Sequence, residues 1–328
     1  MKKIMLFAVL ASLMLFGGCK DNNGKNNGAG TSGGVVLRVG DSEMTSGQFQ
    51  FFLDNVKSQM EGTELSTEDS WETAEIEGKK AIDVAKERAY ESAVQGLSAI
   101  EVGKKEGISC TQEQLDEMKT QIDASVFEEY ENAEEISDFM CEANVYMMAL
   151  EEKLMQEQPV EDSEIEAYFN ENKEDLGSYY MRAKHVLFLT QNDETGEALP
   201  EAEIAKKKQQ ADDILARAKK GEDFDALVSE FSEDPGSHQN PDGYVFGPGE
   251  MVKEFEDCVA SLGFGEIGFA ETSYGYHIIK RLDLEASNFT NQISGYLYYE
   301  KFNTYLDGLV EKHNLEIVKN DAEYNKIK

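Results

Sequence analysis

The sequence predicts a multidomain chain in which an α-helical domain is interrupted by a smaller α+β domain. Three observations carry this reading. Apolar residues recur at helical spacing through the first half and again near the end. Between residues 179 and 283 the pattern changes to short apolar runs interleaved with helices, in the order β-α-α-β-α-β-β. The last helix carries Tyr296, Leu297, Tyr299, Phe302, Leu306, Leu309 and Val310, more than one helix can bury alone, so it is expected to pack back on the helical first segment. A length of 328 residues fits about two domains.

Residues 1–18 read as an export signal. Lys2 and Lys3 precede an almost purely apolar run from Ile4 to Phe16. That run is shorter than the roughly 20 residues a bilayer span needs and falls in the range of a signal-peptide core. The string LFGGC resembles a bacterial lipobox, with Phe16 where Leu is usual, and makes Cys19 the expected lipidation site. Residues 19–35 are Gly-, Asn- and Ser-rich and read as a flexible linker, reaching roughly 20 Å as a coil. The expected location is the outer face of the cell membrane, held by a lipid anchor.

Residues 36–178 form the predicted N-terminal helical domain. VVLRVGDSEMT gives a short strand and a turn at Gly40-Asp41. Phe49, Phe52, Leu53, Val56 and Met60 mark a first helix, and Ile82, Ala85, Ala89, Ala93, Leu97 and Ile100 a second over Lys79–Glu106, stopped by Gly107. Thr111 with Gln114 is a capping box. A further helix carries Val145 to Met155, Pro159 breaks the pattern, and Asp162 or Ser163 caps a short helix through Phe169. Most of the acidity lies here. The whole chain has 31 Lys+Arg against 65 Asp+Glu, a net charge of −34, which excludes nucleic acid as a partner and adsorption to an anionic surface by charge.

Residues 179–283 are the α+β segment. A strand over Ala183–Thr190 leads through an acidic loop to a helix over Glu201–Lys219. A shorter helix follows with Phe224, Leu227, Val228 and Phe231. Pro248-Gly249 suits a type II turn, Met251 and Phe255 sit four apart on a short helix, and strands around Ile267–Thr272 and Tyr276–Leu282 close the segment. Residues 284–328 hold the C-terminal helix. Cys110, Cys141 and Cys258 are too widely spaced for a disulfide framework, and His185, His238, His277 and His313 lack metal-ligand spacing; no metal or cofactor is expected. No repeated βαβ alternation supports a solute-binding fold.

The blocks AKHVLF, GEDFDALVSEFSEDPGS, GPGEMVKEFED and YGYHIIK, in order, resemble the parvulin family of peptidyl-prolyl isomerases, which implies an FKBP-like fold. The helical flanks, beginning RVGDSEMT, resemble the chaperone part of PrsA- and SurA-type foldases. From the residues alone, His185 and His277 are as well read as core histidines, Asp234 as a turn residue, and Met251 and Phe255 as one face of a core helix. The resemblance implies instead that His185 and His277 form the floor of the site. It puts Asp234 where the family has Cys or Asp, and Thr272 where a hydroxyl bonds the histidines. Tyr274 stands where some members carry a small polar residue. Met251 and Phe255 match the pocket that receives the prolyl ring. The family's GGDLG-F reads NPDGYVF here, so either Tyr244 or Val245 takes the adjoining pocket position.

The implied activity is X–Pro isomerisation with chaperoning of exported, partly unfolded proteins; the alternative is a binding-only holdase whose pocket is altered by NPDGYVF. Phosphate-directed parvulins carry a basic cluster after the first strand. Here Asp193, Glu194, Glu197, Glu201 and Glu203 would repel a group of about −1.5 to −2 charge, so unphosphorylated segments are expected. Proteins of this type can form homodimers, and the helices here do not decide it.

Overall fold

β1 (Val35–Val39) and β2 (Ser42–Thr45) form an antiparallel hairpin that runs directly into α1 (Ser46–Met60). The computed structural model describes residues 33–327 except 61–64, 66, 77 and 194. The signal peptide, Cys19 and the linker to residue 32 therefore lie outside the described residues, as does Glu194. After α2 (Glu68–Thr73) and a hairpin of β3 (Glu75–Ile76) and β4 (Lys79–Lys80) comes α3 (Ala81–Lys105), which Gly107 ends at φ 72. α4 (Gln112–Gln121) opens with the expected capping box: the Thr111 hydroxyl accepts from the Gln114 amide, and Gln114 Oε1 accepts from the Thr111 amide at 2.9 Å. α5 (Ala133–Glu157) begins twelve residues before Val145, because Ile136, Phe139, Met140 and Ala143 continue its buried stripe.

α3 is built from small residues on its buried side, Ala85, Ala89, Ala93, Gly96 and Gly103. They let α5 approach closely: a Cβ at Gly96 would stand 3.2 Å from the Phe139 ring, and one at Gly103 only 2.1 Å from the Tyr146 ring.

α6 (Asp162–Tyr179) runs well past Phe169, since Leu176 repeats the buried face of Ile165 and Phe169. It groups by contact with the α+β segment, as one unit spanning Glu161–Ile293. That unit continues with β5 (Met181–Leu189), α7 (Glu201–Lys219), α8 (Phe224–Phe231), β6 (Tyr244–Phe246), α9 (Lys253–Ser261), β7 (Ile267–Glu271) and β8 (Gly275–Leu282), the element order the sequence predicts. The sheet is antiparallel throughout, in the order β6-β5-β8-β7.

Directly opposed residues of antiparallel strands share a face, so the register sorts the side chains. Val186, Phe188, Tyr276 and Ile278 pack under α7 and α8 with Ala211, Ile214 and Leu227. Ala183, Ala270 and Ile279 face the other way, with Phe255 and Val259 of α9. The strand β8 starts at Gly275, where φ is 150 and any Cβ would collide with the Phe188 carbonyl; only glycine fits there.

The other unit comprises the described residues up to Val160 and from Ser294 onward. α10 (Thr290–Lys312) supplies Phe302, Leu306, Leu309 and Val310 to the core formed by α1, α3 and α5. β9 (Ile317–Lys319) then pairs with β1, giving a three-stranded sheet β2-β1-β9, before α11 (Asp321–Tyr324). The Glu106 carboxylate accepts from Lys153 Nζ at 2.9 Å, Lys312 Nζ at 2.5 Å and His313 Nε2 at 2.7 Å, tying the ends of α3 and α10 and the last turns of α5. No helix among the described residues is long and apolar enough to cross a membrane.

Candidate active site

β6 pairs with β5 only as far as Ala183. Beyond it, the segment Ser232–Asp234 follows the free edge of β5. Glu233 donates its amide to the Leu187 carbonyl at 2.8 Å, Ser232 Oγ accepts from the Leu187 amide at 3.2 Å, and Glu233 Oε2 accepts from the Leu189 amide at 2.8 Å. This brings Asp234 alongside His185. One carboxylate oxygen, Oδ1, caps the short turn Pro235–His238 by accepting from the Gly236 amide at 3.0 Å. The other, Oδ2, meets His185 Nε2 at 2.9 Å and accepts from the Tyr244 hydroxyl at 2.6 Å. Asp234 is therefore both the turn residue and the partner of His185.

His185 and His277 lie on the same sheet face, because His185 opposes Ile279 and His277 opposes Leu187. Their rings are 5.1 Å apart between centroids and nearly perpendicular, at 70°. Phe255 closes the group from α9, 5.3 Å from His185 and 5.5 Å from His277, edge to face with both. His277 is 4% exposed, and its Nε2 lies 2.9 Å from the Thr272 hydroxyl. That oxygen also accepts from the Tyr274 amide at 3.1 Å, which fixes it on the β7–β8 turn.

The electrostatics assign the protons. Burial pushes the Asp234 carboxyl up, but hydrogen bonds from His185 and Tyr244, attraction to His185 and the Gly236 amide outweigh it and hold it at about 2. An ionised carboxylate only accepts, so Nε2 of His185 carries the hydrogen in that bond. Burial, and then repulsion from His185, push His277 down to about 3 against the pull of Asp234; it is a neutral ring at physiological pH. Burial and the neighbouring carboxylate push the Tyr244 phenol up, so its proton stays on oxygen.

The structure thus brings together His185, Asp234, Thr272, His277 and Phe255. Met251 packs beside them, but in the turn ahead of α9 and not on the helix. Its position follows from the Pro248-Gly249 turn, where Glu250 donates its amide to Gly247 at 3.3 Å and Gly249 has φ 83, the type II geometry expected. Tyr244 faces the site; Val245 opposes Arg182 on the opposite face, so it does not line this hollow. Tyr274 donates its backbone amide to the Thr272 hydroxyl and is 48% exposed. The edge role of Ser232 and Glu233 and the Tyr244–Asp234 bond were not read from the sequence; the string SEDPG, a capping pair before proline, is the one local signal for the first.

A separate cleft bounded by Lys173, Tyr180, Arg281 and Leu284 lies at the far end of β5 and β8 and contains none of these groups. No cluster of three or more His, Cys, Asp or Glu among the described residues could hold a metal ion. What the site offers is a fixed line of polar groups, Asp234–His185 and His277–Thr272, beneath an apolar wall.

A family profile described as the PPIC-type PPIase domain matches residues 169–285. The foldase protein PrsA of Caldanaerobacter subterraneus subsp. tengcongensis is 32% identical over 311 residues, 92% of this chain and 90% of that protein. The foldase protein PrsA of Halalkalibacterium halodurans is 29% identical over 288 residues, 87% of this chain and 74% of its own length. Among solved structures, PrsA from Bacillus subtilis aligns at 20% identity over 73% of this chain and 90% of that one, with a TM-score of 0.29.

Proposed function

Because the chain belongs to the PrsA foldases and is a parvulin-type peptidyl-prolyl cis-trans isomerase and chaperone, we propose that it isomerises unphosphorylated X–Pro bonds of exported, partly unfolded proteins. We place it on the outer face of the cell membrane, anchored through Cys19. In this reading residues 179–283 carry the isomerisation, and the flanking segments 36–178 and 284–328 hold the client.

An X–Pro bond turns over in tens to hundreds of seconds unaided, because rotation must break amide resonance. The rings of Phe255 and Tyr244 and the Met251 side chain receive the prolyl ring and exclude water, which disfavours the polar planar amide relative to the twisted one. His185, His277, Asp234 and Thr272 form the polar floor beneath the rotating carbonyl. Being already hydrogen-bonded, they need not reorganise as the bond twists. No proton transfer or covalent intermediate is needed. The preference for unphosphorylated segments is supported by the engagement of two lysines of α7: Lys207 pairs with Glu233, and Lys208 pairs with Asp212 and lies over the Phe269 ring.

The observation that carries the reading is the convergence of His185, Asp234, His277 and Thr272 on one sheet face under Phe255. Its test is turnover of a short unphosphorylated X–Pro peptide by the full chain. Acceleration over the thermal rate, cut sharply but still measurable in Asp234→Ala and in His185→Ala, supports it. A folded full chain with no acceleration that still suppresses client aggregation supports the holdase reading instead.

A further inference from the structure

The floor contains one bond that the parvulin pattern does not supply. Tyr244 enters through the departing segment NPDGYVF, and its hydroxyl donates to Asp234 Oδ2, the same oxygen that takes His185 Nε2–H. Resting on the isomerase reading above, we propose that the Tyr244 hydroxyl, as distinct from its ring, is a positioning group: it pins Asp234 so that the carboxylate holds His185 in place, and it acts on the reaction only through Asp234.

Three features of the fold converge on this. Asp234 lies in a turn outside the sheet, so its side chain is not set by strand register and needs a second tether besides the Gly236 amide. Tyr244 is set by register, opposite Ala183 on β5, and its ring lies 5.6 Å from that of His185 at 37°. The turn is also shaped to admit the hydroxyl: a Cβ on Gly236 would stand 2.5 Å from the phenol oxygen. The groups facing Asp234 are His185 from β5, Tyr244 from β6 and, more distantly, His277 from β8. The neighbouring Glu233 is turned away onto Lys207 and the Leu189 amide. Burial disfavours the Asp234 charge, and the Tyr244 bond is one of the few interactions that restore it.

Tyr244→Phe keeps the ring and removes the hydroxyl. In the full chain, kcat should fall about tenfold, the scale of one hydrogen bond to a charged group, with KM within about twofold. In an Asp234→Ala background the same substitution should change kcat less than about twofold, since the acceptor is gone. An equal factor in both backgrounds, or a rise in KM with kcat unchanged, overturns the inference. The titration midpoint of the Asp234 carboxyl, followed by carbon-13 NMR, should rise by about one pH unit in Tyr244→Phe; an unmoved midpoint overturns it as well. That reading needs no turnover, so it still decides the question if the parent chain proves not to be an isomerase. Should Tyr244→Phe not fold, Gly236→Ala displaces the same hydroxyl and is expected to move the midpoint in the same direction.

Discussion

Removing the Asp234 carboxylate tests the site as a piece of folded structure, independently of turnover. In Asp234→Ala three donors lose their acceptor at once: His185 Nε2–H, the Tyr244 hydroxyl and the Gly236 amide. A buried donor left unpaired costs about 1–3 kcal/mol. The Asp234 side chain is 17% exposed, so water can reach part of the gap, and a total of about 2–4 kcal/mol follows. The parent carboxyl is held at about 2 against an ordinary 3.8. A folded-state value below the unfolded one means that the stabilisation is fully present above about pH 4 and disappears as pH falls through about 2. Hydrogen exchange of the β5 and β8 amides in the full chain reads this locally. The variant should lose protection equivalent to about 2–4 kcal/mol at neutral pH, and the gap should narrow only towards pH 2. Equal protection of those strands at pH 7 would refute the hydrogen-bond accounting.

Two further outcomes are expected. Gly103→Ala should destabilise the helical unit by about 1–3 kcal/mol, because collision with the Tyr146 ring outweighs the roughly 1 kcal/mol that alanine gains in a helix; the urea midpoint read by the fluorescence of Trp71, buried in that unit's core, checks the sign. Glu106→Gln should lower the same midpoint at neutral pH, since Lys312, Lys153 and His313 hold the Glu106 carboxylate down to about 2. The difference between parent and variant should fade as pH drops from about 4.5 towards 2.

How far the sequence could be read depends on where each signal lies. Capping is local, so the Thr111–Gln114 box, the Gly107 stop and the type II turn at Pro248-Gly249 are legible as residues. Buried periodicity is legible where it is apolar: α7 has the bounds the sequence predicts. The extension of α6 is not legible because Leu176 stands alone among Glu174, Asp175 and Gly177, and a single apolar residue does not look like a stripe. The start of α5 was missed although Ile136, Phe139 and Met140 carry it, because acidic neighbours mask the pattern. At the site, family blocks point to His185 and His277, but facing direction is a property of sheet register. One residue of slip exchanges the two faces, so Tyr244 and Val245 could not be told apart until β6 was paired with Ala183 on β5. Met251 is misleading for a similar reason: its spacing to Phe255 is helical, but the chain is still in the turn before α9.

The pairing of β1 with β9 sets an order of assembly for a chain synthesised amino end first. Leu37 opposes Lys319, so the helical frame cannot be sealed until residue 319 has emerged. The unit spanning Glu161–Ile293 is contiguous, and every strand of its sheet is available once residue 282 is out. The loop closed by the terminal strands is long, and such closure is entropically slow to reach although its cost grows only logarithmically with length. During synthesis the isomerase unit can therefore be complete while the strands that close the helical frame are still apart.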